Sequence, residues 1–293
     1  MPSYTGHINP TKGLSKSDIP VYFSEKIIPE HLHKHTSLIE NNKLSVFLTI
    51  IDNQCISVPY APWGGILQNT TANYSDFENL INHCLKYAQD FNASELIIKQ
   101  PPRPYSHSVS MDWFDTFGFE KSEETNQFID LQSPAPFHTM EQRKIKKLQK
   151  HVQVKRELDI TKYFSKLSLW RKSTGIPINI SIEHLTQLFE SHPDEYECWI
   201  AQNEKDTLAV CFTIQVTDRV IYYFLPATNP NYRSSSPMAL LIETLCHNYL
   251  KLGFQYFDLG QTSIKGTKQE GLYRFKERMG ATSTPKFTFC LSF

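Results

Sequence analysis

The sequence predicts an α/β fold made of two tandem copies of one unit. The first observation behind this is an internal repeat. The stretches "LSVFLTIIDNQCISVPYAPWGG" from Leu44 and "LAVCFTIQVTDRVIYYFLPATN" from Leu208 superimpose without a gap at a spacing of 164 residues. Both are β-rich around a polar turn, Asp52-Asn53 in one and Thr217-Asp218 in the other, and read as hairpins. The second observation is that each hairpin leads into a helical pattern, "SDFENLINHCLKYAQDF" or "SPMALLIETLCHNYLKLG", and then a short strand, "ELIIKQ" or "FQYFDLG". The third is length, because 293 residues suit two domains of about 150 each.

In chain order, the polar start "MPSYTGHINPTKG" lacks the apolar core of a secretory signal. The run "HLHKH" brings His31, His33 and His35 together, but without a carboxylate or thiol partner it reads as an exposed segment, and no metal site is expected. After the first hairpin, helix and strand, the chain runs through "PPRPYSHSVSMDWFDTFGFEK" to a strand at "QFIDL" that is expected to close the first unit. The proline-marked linker "LQSPAPFH" then divides a first domain, 1–133, from a second, 134–293. The helix "TMEQRKIKKLQKHV" carries Ile145, Leu148 and Val152 on one side and Arg143, Lys146, Lys147 and Lys150 away from it. That basic side is either a solvated face or a contact for an anion such as RNA. Helical segments at "ITKYFSKLSLWRKST" and "SIEHLTQLFESH" precede the second hairpin, and "PKFTFCLSF" is expected to close the second unit.

Thirty basic and 30 acidic residues make the chain neutral, which argues against a surface built mainly to grip nucleic acid or an anionic membrane. No apolar run approaches the roughly 18 residues of a membrane span, and a cytoplasmic protein is expected. The six cysteines, Cys55, Cys84, Cys198, Cys211, Cys246 and Cys290, form no C-x-x-C pair. Most sit in apolar runs, the pattern of buried reduced thiols. There is no G-x-x-x-x-G-K-[ST] loop, G-x-G-x-x-G fingerprint, H-E-x-x-H or G-x-S-x-G elbow.

The segment "FDLGQTSIKGTKQEGLYRFKERMG", Phe257 to Gly280, reads as a strand end, a polar loop and a short helix. On a helical wheel Leu272, Phe275 and Met279 share one side, and Lys276 falls about 40° from Leu272 on that same packed side. Such a lysine either snorkels to water or points its ammonium into a cleft.

Taken together, the duplicated unit, the "VPYAPWGG" hairpin end, "RKIKK" after the linker and "FDLGQTSIKGTKQEGLYRFKERMGA" resemble the FemAB-type family over roughly residues 40–293. The resemblance implies two tandem GNAT-like (N-acetyltransferase) units and transfer of an aminoacyl or acyl group to an amine acceptor such as a cell-wall precursor. The acceptor is expected in a cleft between the units, and the donor, an aminoacyl-tRNA acceptor end or an acyl-CoA, on the second. No tightly bound cofactor is implied. Carried over to this chain, the lysine of the Phe275-Lys276 pair is the catalytic residue, stabilising an oxyanion. Tyr60, Trp63, Tyr223, Arg233, Ser234, Ser235 and Phe275 are expected to bind substrate. Asp258 is no clear base, because it ends a core strand.

A GNAT unit holds the CoA pyrophosphate on a turn of small residues at a helix N-terminus. Here that position reads "NPNYRSSSPMALL", with Ser236 and Met238 where small residues are wanted. A standard CoA site is therefore not expected in either half. CoA-dependent acyl transfer by a BioF2-like enzyme, and a binding protein without catalysis, stay open beside the leading reading.

Overall fold

The computed structural model describes residues 20–23, 27–68, 70–105 and 109–293. By packing, the chain forms two units: Met1–Thr125 with Lys265–Thr267 and Thr284–Phe293, and Asn126–Ile264 with Lys268–Ser283.

The first unit is a sheet with a helix across it. Its strands are β1 (Thr36–Glu40), β2 (Leu44–Ile51), β3 (Gln54–Ser57) and the short β4 (Leu67–Gln68), followed by α1 (Tyr74–Asp90), β5 (Glu95–Lys99), α2 (Met111–Phe117) and the start of β6 (Glu120–Asp130). The β2–β3 hairpin is antiparallel and turns at Asp52 and Asn53, both at positive φ (48° and 62°). Two such residues make the turn whose twist suits a two-residue hairpin, and Asx residues tolerate it. β3 then pairs in parallel with β5, the connection that needs a crossover helix. That helix is α1. Asn73 accepts from the Asp76 N–H while the Asp76 carboxylate accepts from the Asn73 N–H, a complete capping box. Phe77, Leu80, Ile81 and Cys84 of α1 bury against Val46, Leu48, Leu96 and Ile98.

The second unit repeats this order. It holds α3 (Thr139–Leu148), β7 (Gln153–Glu157), α4 (Ile160–Lys172), α5 (Ile182–Ser191), β8 (Tyr196–Gln202), β9 (Thr207–Gln215), β10 (Val220–Thr228), α6 (Pro237–Lys251), β11 (Tyr256–Gln261), the two-residue strands β12 (Ser263–Ile264) and β13 (Thr267–Lys268), and α7 (Glu270–Arg278). β9 and β10 form the antiparallel hairpin, α6 crosses over, and β11 pairs in parallel with β10. One face of this sheet packs Cys211, Ile221 and Phe257 under Leu241, Leu245 and Tyr249 of α6 and Ile145 of α3. The other packs Ile200, Val210 and Phe212 under Tyr163, Phe164 and Leu167 of α4.

The closing strands are exchanged relative to the sequence expectation. The "QFIDL" strand, the end of β6, pairs antiparallel with β11 of the second unit, Tyr256 opposite Asp130. The last strand, β14 (Thr282–Ser292), pairs antiparallel with β5 of the first, Thr288 opposite Lys99. Phe289 of β14 stacks on Phe114 of α2 at 4.0 Å, inside the first unit's core. Residues 284–293, which the division at 133/134 assigns to the second domain, thus pack with the first. Both closing segments are apolar and β-prone, so either satisfies an antiparallel edge and local pattern cannot assign them.

His31, His33 and His35 lie in a 3-10 helix, Glu30–His35, where His33 Nε2 is 2.8 Å from the Ile28 carbonyl oxygen. No His, Cys, Asp or Glu cluster able to hold a metal occurs among the described residues. All six cysteines are free, four of them buried. Among the described residues no helix is long and apolar enough to cross a membrane.

Candidate active site

The second unit opens where β10 and β11 part. The two strands pair only over Val220–Tyr222 with Tyr256–Asp258. β10 then bulges between Phe224 and Ala227, with Leu225 at φ 44°, and β11 bulges between Asp258 and Gly260. Bulges of this kind end pairing and re-aim side chains. Gly260 sits at φ 78°, and a Cβ there would stand 3.1 Å from the Tyr222 ring, so both its conformation and its tight contact call for glycine.

Two charged groups hold the separated end of β11. Asp258, 1% exposed, accepts at Oδ1 from Asn126 Nδ2 (2.7 Å) and from the Gly260 N–H (2.9 Å). Lys276, 3% exposed and the buried residue of α7, donates from Nζ to the carbonyl oxygens of Gly260 (2.8 Å) and Gln261 (3.1 Å). Burial pulls its pKa down to about 7, against the opposing pull of the Asp258 charge. The lysine does not snorkel. Two of its three N–H donors are spent on main chain, and one remains.

Beside this, a cavity of about 500 Å3 lies wholly within the second unit. α4 contributes Trp170 and Arg171, and the loop after it Thr174 and Ile176; β10 contributes Tyr223 and residues 226–228; the turn into α6 contributes Arg233 and Ser236, and α6 itself Met238; α7 contributes Gly271, Leu272 and Phe275. The lining holds two arginines and no carboxylate. Arg171 donates from Nε (3.2 Å) and a terminal nitrogen (3.1 Å) to the Pro226 carbonyl oxygen inside the β10 bulge. Burial lowers its pKa, yet a guanidinium stays charged in a protein.

The entry to α6 is less open to an anion than a helix N-terminus usually is. Pro237 has no N–H, the Ser236 N–H is spent on Arg233 O (3.1 Å), and the Ala239 N–H on Ser236 O (3.0 Å). Ser236 is held left-handed at φ 55°, with its Oγ accepting from Lys144 Nζ at 2.9 Å.

The structure brings Tyr223, Arg233 and Phe275 together in the cavity wall, while Lys276, the next residue on α7, does not line it. Ser235 spends its hydroxyl on Tyr232 O (2.7 Å), an ordinary turn contact, and Ser234 faces solvent. Tyr60 and Trp63 belong to the first unit, on the loop between β3 and β4. Tyr60 is 46% exposed and Trp63 is buried edge-on to Tyr22. That loop is pinned by Lys99, whose Nζ donates to Val58 O (2.8 Å), Ala61 O (3.0 Å) and Pro59 O (3.2 Å). Trp170 and Arg171 escaped the sequence reading. Their segment read as an amphipathic helix, and nothing local announces a guanidinium aimed at a carbonyl 55 residues away.

Residues 140–277 match the family model described as "Acetyltransferase (GNAT) domain". The matched stretch contains α4, the β10–β11 opening and α7, and makes this half a transferase domain of the GNAT type. Among curated proteins none matches the sequence. The chain is similar in fold to FemX (TM-score 0.66, 12% identity, 89% of each chain covered) and to L-PGS from Bacillus licheniformis (TM-score 0.57, 12% identity, 88% of this chain and 85% of that one). It is also similar to a tandem GNAT protein from the clavulanic acid biosynthesis pathway (TM-score 0.52, 8% identity, 88% and 83%). The fold is the α/β GNAT-like fold in tandem.

Proposed function

We propose that the protein is an N-acyltransferase of FemAB type, moving an aminoacyl group from a phosphate-bearing donor to an amine on a peptide-like cell-wall precursor. The observation that carries this reading is the cavity at the β10–β11 opening, with two arginines, aromatic walls and no carboxylate. Such a lining favours an anionic donor and a flat group against Trp170 or Phe275. The fold shared with FemX supports the aminoacyl branch of the reading.

The attacking amine adds to the donor carbonyl, and the negative charge formed on its oxygen needs a fixed donor. Lys276 is the candidate by the family resemblance. Because it does not line the cavity, it acts only on a donor carbonyl that reaches past that lining to its unspent N–H. Its ammonium is held by two carbonyls with one N–H unspent, and in a site shut off from water such a group is worth a few kcal/mol to the transition state. Nothing in the lining serves as a base, so the amine loses its proton to a substrate group or to water. The intermediate collapses by breaking the bond from the carbonyl carbon to the donor's ester oxygen or thioester sulfur, which departs with a proton.

Between donors, the α6 entry favours an aminoacyl ester at a tRNA acceptor end. A pyrophosphate would find neither free backbone N–H groups at Ser236 and Pro237 nor a glycine there, and would meet the Met238 side chain. The family description of residues 140–277 favours the second reading, acyl-CoA. Incubation with charged tRNA in one arm and acetyl-CoA in the other, each with a panel of peptide amines and read by mass spectrometry, separates them. Product from charged tRNA alone is the expected result. Product from acetyl-CoA alone transfers the reading to a CoA-dependent enzyme, and no product in either arm rejects both.

A further inference from the structure

A second groove on α6 has no part in that chemistry. It encloses about 410 Å3 between α3, α6 and the proline-marked linker, within the roughly 300–1,000 Å3 usual for small-molecule sites. Its floor is apolar, made by Leu131, Phe137, Cys246 and Leu250. The linker over it is pinned along its length. The Leu131 N–H donates to Gln255 O (2.8 Å), Gln142 Nε2 to Phe137 O (2.7 Å), and the His138 N–H to Arg278 O (2.8 Å). Ala135 packs so closely on Gly280 that a side chain there would collide with it. The groove is thus preformed.

Opposite charges face into it from its two helices. Lys146 of α3 lines it and makes no hydrogen bond or ion pair among the described residues. Glu243 of α6 accepts from Gln149 Nε2 at Oε2 (3.0 Å) and lies in the field of His247, which also lines the groove, while its Oε1 accepts no hydrogen bond among the described residues. A ligand that satisfies this lining carries a carboxylate for Lys146, an ammonium for Glu243, and an apolar body for the floor.

We propose that the groove binds a free α-amino acid with a large apolar side chain. The site lies apart from the candidate active site, and it stands whether or not the proposed reaction is right. Both charged contacts are charge-assisted hydrogen bonds, the strong kind; a ligand lacking the ammonium leaves the partly buried Glu243 unmet, and one lacking the carboxylate forgoes the contact with the exposed Lys146.

The test is titration calorimetry on the full chain with L-phenylalanine, 3-phenylpropionate and phenethylamine. L-Phenylalanine should bind one to one, and each single-charge analogue at least about tenfold more weakly. Lys146→Gln and Glu243→Gln should each weaken L-phenylalanine about tenfold, and Cys246→Trp, which fills the floor, should abolish binding. If Cys246→Trp fails to fold, Leu250→Asp, at a position 40% exposed, takes its place. No saturable binding up to about 10 mM, equal binding of all three compounds, or binding unchanged in a folded floor variant would each overturn the proposal.

Discussion

The Lys276 ammonium sits 2.8 Å from the Gly260 carbonyl oxygen, so the buried cation of α7 clamps the strand end that bulges against β6 just past the last residue of β11 paired with β10. Replacing it tests clamp and catalyst together. Lys276→Met keeps the stem and removes a desolvated charge, at the cost of two unpartnered carbonyls, so the melting temperature should move by only a few degrees. Turnover should fall about a hundredfold, roughly 2.7 kcal/mol of transition-state stabilisation. Tyr273→Phe is the control, since Tyr273 gives up only a long contact with Ser283 Oγ (3.2 Å). Near-normal transfer by Lys276→Met would refute the catalytic assignment.

Stability should depend on pH through two lysines. Burial lowers both Lys99 and Lys276 to about 7, against about 10.4 in an unfolded chain. Between those values the unfolded state binds more protons, so stability rises with pH across that window and is flat from these groups below it. Denaturant midpoints should climb from pH 7 to about 8.5, above which the cysteine thiols, pushed up by burial, pull the other way, and Lys99→Met with Lys276→Met should remove the climb. A wild-type midpoint that falls over this range speaks against two buried, readily deprotonated lysines.

Arg233 is exposed at the cavity wall and makes no ion pair among the described residues. Arg233→Ala should therefore raise the donor KM about tenfold, leave kcat within about twofold, and not change Tm. Arg171→Ala is a different experiment, because it strips the Pro226 carbonyl of its partner and should cost stability as well. An Arg233→Ala enzyme with unchanged KM for the phosphate-bearing donor removes that residue from the donor site.

Gly260→Ala places a Cβ against Tyr222 at a backbone angle that side chains rarely adopt. The expected loss is about 1–3 kcal/mol, seen in denaturant unfolding, with Tyr222→Ala restoring part of it by vacating the contact. A substitution that proves neutral shows that the strand end relaxes freely.

The repeat was legible because it rests on local rules: alternating apolar residues, an Asx turn that both Asp52 and Asn53 can adopt, and a capped helix of strong periodicity. The odd placement of Lys276 was legible for the same reason, since a wheel sets it beside Phe275 and Met279 on the packed side, although Leu272, read onto that side too, is 43% exposed because it faces the open cavity. Its partners were not, because the carbonyls of Gly260 and Gln261 carry no side-chain signature. Trp170 and Arg171 look like the end of an amphipathic helix, and only the bulge in β10 brings the Pro226 carbonyl to that guanidinium. The two closing segments, "QFIDL" and "PKFTFCLSF", both carry β-prone aromatic and aliphatic residues, so local pattern does not assign their destinations and tertiary packing decides them.

The exchange of those strands sets a timetable. β5 finds its antiparallel neighbour in residues 288–292, so the half of the protein that leaves the ribosome first is the last to be finished. A nascent chain halted after Ser283 holds every residue of the second unit and leaves β5 with a row of unmet backbone groups, a sticky edge. Holding that edge safe in the meantime falls to the cell's folding machinery, or to the speed with which β14 is completed.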